Sequence, residues 1–138
     1  MKIEPFIVAG RAARTTNVIE MSGEGAIPKL WGQLGRPDGE VTAVYYDYAS
    51  DKDGEYSYLL GTKVSPAEEI PPGLVSREVA GGDYSKFSGS GANPAETVVQ
   101  LWQEIWAQEK AGLRRAYLTD FEIYHPNGGV DIYIGLLV

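Results

Sequence analysis

The alternation of apolar and polar positions divides the chain into two similar halves. Ile3 to Ala9 reads as a short strand, followed by a turn-rich stretch through Gly25. Pro28 then opens a helix with Ile27, Leu30, Trp31 and Leu34 on one stripe, and Gly35-Arg36-Pro37-Asp38-Gly39 stops it. The β-branched and aromatic run Val41 to Ala49, the turn cluster Ser50 to Gly54 and the run Glu55 to Val64 predict a hairpin. The segment 65–73 holds Pro66, Pro71 and Pro72 and predicts a linker, because proline cannot donate to a ladder. Beyond it the order recurs. Leu74 to Ala80 is a strand, and Asn93, Pro94 and Glu96 have the residue types of an N-cap, a first helical position and a capping-box partner. Val98, Leu101, Trp102, Ile105 and Trp106 form that helix's apolar stripe, and Gly112 ends it. Ala116 to Tyr124, the turn His125 to Gly129 and Val130 to Val138 make a closing hairpin.

Offsets support a duplication. Val8-Ala9-Gly10 recurs as Val79-Ala80-Gly81 and Leu30-Trp31 as Leu101-Trp102, while Tyr48 matches Tyr124 and Leu60-Gly61 matches Ile134-Gly135. The expected fold class is α+β: tandem duplicated β-α-β-β units with pseudo-twofold symmetry, antiparallel sheets with one helix each, and a ligand cleft between the units. The whole of 1–138 reads as one domain, with repeats at about 1–64 and 74–138 and the linker at 65–73. In each unit the helix is expected on one sheet face and the cleft on the other.

Charge and composition narrow the chemistry. The chain has 138 residues, no cysteine, 12 basic and 19 acidic side chains, and a net charge of −7. A disulfide framework and a cysteine-zinc site are excluded. No Lys/Arg stripe offers a phosphate backbone anything to bind, so direct nucleic-acid binding is not expected. No apolar run reaches the ~18 residues of a membrane span, and a cytoplasmic setting is the natural expectation. No cofactor or metal is implied, since the single His125 falls in a turn and no nucleophile elbow is present.

Alternation in the last hairpin puts Tyr117, Thr119, Phe121 and Ile123 on one face and Leu118, Asp120, Glu122 and Tyr124 on the other. Ile132, Ile134 and Leu136 suit the helix, leaving Tyr133 to look away. Glu122 then lies mid-strand among aromatics on the expected cleft face. It is either a solvated residue of an exposed sheet or a buried carboxylate that must be paired with a cation. A shift of 76 places Tyr46 in the position related to Glu122, with Tyr48 and Tyr58 beside it. Trp31, Trp102 and Trp106 sit where helix meets sheet. The stretch Gly81 to Gly91, with Tyr84 and Phe87, reads as a mobile flap without the context of a phosphate loop.

The duplicated unit, a Leu-Trp pair in each helix, and the closing Phe121-Glu122-Ile123-Tyr124 and Asp131-Ile132-Tyr133-Ile134 strands resemble the gyrase-inhibitor-like, or AraC-type, effector-binding domain. Within that family the chain is similar to free-standing cation-binding versions carried on integron gene cassettes. The resemblance implies a pocket between the halves in which a buried glutamate, Glu122 here, pairs with lipophilic organic cations. It implies an aromatic lining at Tyr46, Tyr58, Phe87, Trp106 and Tyr133. No DNA-binding helix-turn-helix is recognised, so a protein partner such as a separate DNA-binding subunit or gyrase is the expected route to any regulatory effect. Hydrolysis of electrophiles by Glu122 with Tyr46 or Tyr133 is the enzymatic alternative.

Overall fold

Asn93 starts the long helix as its residue type predicts: its side-chain oxygen accepts from the backbone N–H groups of Ala95 and Glu96 at 3.1 and 3.4 Å. The computed structural model describes residues 1–35 and 39–137. In chain order these form β1 (Lys2–Ile3), β2 (Phe6–Thr16), α1 (Asn17–Met21), α2 (Ile27–Leu34), β3 (Val41–Tyr46), β4 (Glu55–Val64), β5 (Val75–Val79), β6 (Gly82–Ser90), α3 (Pro94–Lys110), β7 (Arg115–Tyr124) and β8 (Gly129–Leu136). The stop expected at Gly35 to Gly39 lies partly outside the described residues.

All eight strands join one sheet in the order β1-β6-β8-β7-β3-β4-β2-β5. Outward from the central β3–β7 pair the order is β3, β4, β2, β5 on one side and β7, β8, β6, β1 on the other. That is the pseudo-twofold relation expected of a duplicated β-α-β-β unit. The two units share one continuous sheet, however, in place of two sheets.

Two strand assignments change. The first strand of each unit is β2 and β6, and the predicted strand at Leu74 to Ala80 is β5, the counterpart of the short edge strand β1. Val8-Ala9-Gly10 and Val79-Ala80-Gly81 are therefore not equivalent positions. The expected flap at 81–91 is β6, paired with β8 from Tyr84↔Gly135 to Ser90↔Gly129. Gly89 marks a close approach: a Cβ there would come within 3.0 Å of Thr97 on α3.

The sheet curls on itself. Phe6 of β2 and Tyr84 of β6, far apart in strand order, both meet the Phe121 ring of β7 edge-on at 5.1 and 5.2 Å. Val8, Val44, Leu59 and Val79 fill the same inner cluster and are fully buried. With the inner face consumed in this way, α2 and α3 both lie on the outer face. There α2 covers Ala43, Tyr58 and Leu60, and α3 covers Val130, Ile132 and Ile134. Each of these buried Leu, Val and Ile side chains stabilises the fold by about 1.5–3 kcal/mol. Glu122 pairs with Ile132 and Ala43 across the ladders, so it shares the helices' face. The cleft is the gap between α2 and α3, with α1 contributing to its wall, and lies on their face of the sheet, not the face opposite them.

Candidate functional site

Glu122 stands near the middle of the sheet and is 1% exposed. Its Oε2 accepts from the Tyr45 hydroxyl at 2.9 Å and the Trp102 indole N–H at 2.6 Å, and its Oε1 accepts from the Tyr124 hydroxyl at 2.7 Å. Three neutral donors thus hold the carboxylate, and no Lys, Arg or His among the described residues forms an ion pair with it. Burial pushes the Glu122 carboxyl above the ordinary glutamate range, and the hydrogen bonds from Trp102, Tyr124 and Tyr45 pull against that rise. The Tyr45, Tyr58 and Tyr124 hydroxyls are pushed upward first by burial and then by the Glu122 charge, so they remain neutral.

Above this carboxylate lies a cavity of about 590 Å³. Trp31 of α2 and Trp102 of α3, related positions in the two repeats, both line it. The Trp31 indole N–H donates to the Tyr58 hydroxyl at 3.2 Å, and the Trp31 ring meets Tyr124 edge-on at 4.7 Å. Tyr45 meets Trp102 and Tyr58 at 5.2 and 5.1 Å, closing an aromatic floor around the charge. Ring faces carry negative charge density and attract cations.

Asp120, two residues before Glu122 on the same face, is also fully buried. It pairs with the Arg115 guanidinium at 2.8 Å and accepts from the Gly135 N–H at 2.9 Å and from the Tyr48 hydroxyl. A bulge between Arg115 and Asp120, with Tyr117 at φ 54°, breaks the expected alternation. It carries Tyr117 to the outer side, where its hydroxyl donates to Glu109 and its ring lies 4.2 Å from the Arg115 guanidinium. Leu118 is left 72% exposed.

Of the residues expected from sequence, Glu122, Tyr58 and Trp106 line the cavity. Tyr46 does not. It packs against the inner cluster beneath the Arg77 guanidinium, 4.0 Å from its ring. The pair Tyr45↔Tyr58 corresponds to Glu122↔Ile132, at offsets of 77 and 74, so the residue related to Glu122 is Tyr45. A one-residue slip exchanges the faces of a strand. Tyr133 also lies inside, stacked on Phe121 at 4.6 Å. Phe87 is on the outer face but packs with Leu101 and Ile105 beneath α3, outside the cavity. Tyr45, Trp31 and Trp102 line the cavity without having been singled out as ligand contacts. The Leu-Trp repeat was the available signal for the two tryptophans. The cavity also holds Glu20, from a stretch read only as turn-rich.

His125 is tied to Asp131 at 2.8 Å and to Glu40 at 3.4 Å, away from the cavity. Among the described residues no cluster of His, Cys, Asp and Glu is arranged to hold a metal, and no helix is long and apolar enough to cross a membrane.

A sequence profile described as integron-associated effector binding protein matches residues 1–136. The chain belongs to that family. An integron cassette protein from the mobile metagenome of Vibrio cholerae is 31% identical and superposes with a TM-score of 0.86, covering 99% of this chain and 94% of its own. YobU of Bacillus subtilis, named for transcriptional regulation, is 30% identical over 93% of this chain and 90% of its own length. The transcriptional regulator BrlR of Pseudomonas aeruginosa is 31% identical over 80% of this chain, which matches 43% of that protein. The same fold occurs, at 16% identity and a TM-score of 0.65, in SAV2435, solved with tetraphenylphosphonium bound. In this effector-binding chain, the cavity between the helices is where the fold offers a small molecule room.

Proposed function

We propose that this effector-binding protein takes lipophilic organic cations into the cavity, with Glu122 as counter-charge and the surrounding rings as a sequence of apolar and cation-attracting walls. The observation that carries the reading is the state of Glu122: fully buried, held by three neutral donors and without an ion-pair partner among the described residues. Burying a carboxylate costs several kcal/mol when no opposite charge repays it. A ligand cation would supply that charge in a setting where little water competes. The phosphonium bound by the fold relative SAV2435 is a ligand of this class and supports the reading.

Affinity in the micromolar range, about 8 kcal/mol, is expected of such a pocket. The test is quenching of tryptophan fluorescence by tetraphenylphosphonium and by the neutral triphenylphosphine oxide, with the wild type and Glu122→Gln. Trp31, Trp102 and Trp106 all line the cavity and report directly. The substitution should cost the cation about 2–3 kcal/mol, or roughly 30- to 150-fold, and leave the neutral compound's affinity within about threefold. Equal binding of the two compounds by the wild type would overturn the assignment.

A further inference from the structure

Glu122 has a counterpart in the same cavity. Glu20 on α1 lines the wall, and its carboxylate is fixed by three donors: the Thr15 hydroxyl at 2.5 Å and the backbone N–H groups of Ala26 and Ile27 at 3.0 and 3.2 Å. Gly25 leaves the space this requires, since a Cβ there would collide with the Glu20 carboxyl. Between the two acids stand Tyr45 and Tyr56, with ring centroids 5.4 Å apart. The Tyr56 hydroxyl donates to Asn17 at 2.9 Å. Burial chiefly raises the pKa of that hydroxyl, and the charges of Glu20 and Glu122 add to the rise.

The charges lining the cavity are unevenly matched. Among the described residues they are Glu20, Lys52, Arg115 and Glu122. Arg115 is committed to Asp120, and the Lys52 ammonium lies 3.0 Å from Asp53, which is outside the cavity. Both positive groups therefore have an anionic partner of their own. Neither Glu20 nor Glu122 forms an ion pair among the described residues. Among the described residues the cavity thus has two carboxylates with aromatic rings near both and no protein cation paired with either.

We propose that the preferred ligands carry two cationic centres joined by an apolar spacer, one facing Glu122 and the other Glu20. The spacer lies along the Tyr45–Tyr56 wall, whose width sets its length. This rests on the reading of Glu122 as a cation site and assigns the second charge.

The probes are polymethylene chains with a trimethylammonium at both ends, over short to long spacers, against chains of equal length with one such group. Each is titrated by tryptophan fluorescence, and the readout is the ratio of the two affinities within each variant. The wild type should favour one spacer length, at which the dication binds about tenfold or more tighter than its single-charge match. In Glu20→Gln, whose amide oxygen can still accept from the α2 N-terminus, that ratio should fall towards one. Glu20→Asp keeps the charge but withdraws it by one methylene, and should shift the optimum to longer spacers. A wild-type ratio near one at every length overturns the proposal, as does an optimum that survives unchanged in both variants. Failure of every cation, single or double, to bind the wild type overturns the Glu122 reading itself.

Discussion

Asp120 and Glu122 are neighbours on one face of one strand, both fully buried, yet the fold treats them differently. Asp120 has the Arg115 guanidinium at 2.8 Å, and the bulge at Tyr117 brings further groups around that pair. Glu122 has hydroxyls and an indole N–H, which stabilise a charge without cancelling it. The first carboxylate is electrically complete within the protein. The second has no such partner among the described residues and stands in the wall of a cavity large enough for a drug-sized molecule. Burial alone therefore does not single out a ligand site; in the proposed reading, the lack of an opposite charge among the described residues does.

The largest effect should come from breaking the complete pair. Arg115→Met leaves Asp120 buried and uncompensated, at a cost of about 3–5 kcal/mol. Glu122→Gln removes a buried charge that has no cationic partner among the described residues and should change stability by no more than about 1 kcal/mol. Urea denaturation of the two variants measures the contrast. A loss for Glu122→Gln as large as for Arg115→Met would make Glu122 a structural residue like its neighbour.

Acidification separates the pair at the next level. Burial holds the Glu122 carboxyl above the ordinary range, so it gains its proton at a higher pH than a solvated glutamate. Cation affinity should fall through that window, by about tenfold per pH unit once the acid is mostly protonated. For stability the sign is opposite: a raised folded pKa favours the folded state at low pH, and this contribution is lost as pH rises through the folded value. Glu122→Gln should abolish both slopes. Titrations of tetraphenylphosphonium at several pH values check the first, and pH-dependent melts the second.

Much of this architecture was legible in the chain. The first hairpin's second strand, the capped α3 and the Leu-Trp pair of each helix follow from periodicity and capping chemistry, because those signals are local. Glu122 was legible as an acid out of place in an aromatic strand. Its company was not, for two local reasons. Asp47 takes φ 50° just after β3, and Tyr117 takes φ 54° within β7, and each resets an alternation that pattern alone must assume unbroken. The match of Tyr48 with Tyr124 across the first of these irregularities gave an offset of 76 where the paired strands require 77. Nor does any strand pattern announce that a sheet will curl and consume one of its own faces, which is what moved the cleft to the helices' side. Glu20 escaped because its meaning comes from α2's first backbone N–H groups and from Gly25, contacts with no periodic signature.

That one-residue offset yields the finest test. Tyr45 and Tyr46 are adjacent and chemically identical, but the Tyr45 hydroxyl donates to Glu122, whereas the Tyr46 ring lies on the inner side under Arg77. Tyr45→Phe deletes a hydrogen bond to a buried carboxylate and should cost about 1.5–3 kcal/mol at a pH where Glu122 is charged. Because that bond is one of the groups holding the Glu122 pKa down, its loss should also move the acid limb of cation binding to higher pH. Trp102 and Tyr124 still serve the carboxylate, so binding should weaken without vanishing. Tyr46→Phe should leave both the acid limb and the affinity unchanged. If the two phenylalanine variants behave alike, hydrogen bonding does not set the charge of Glu122, and its titration would be governed by burial alone.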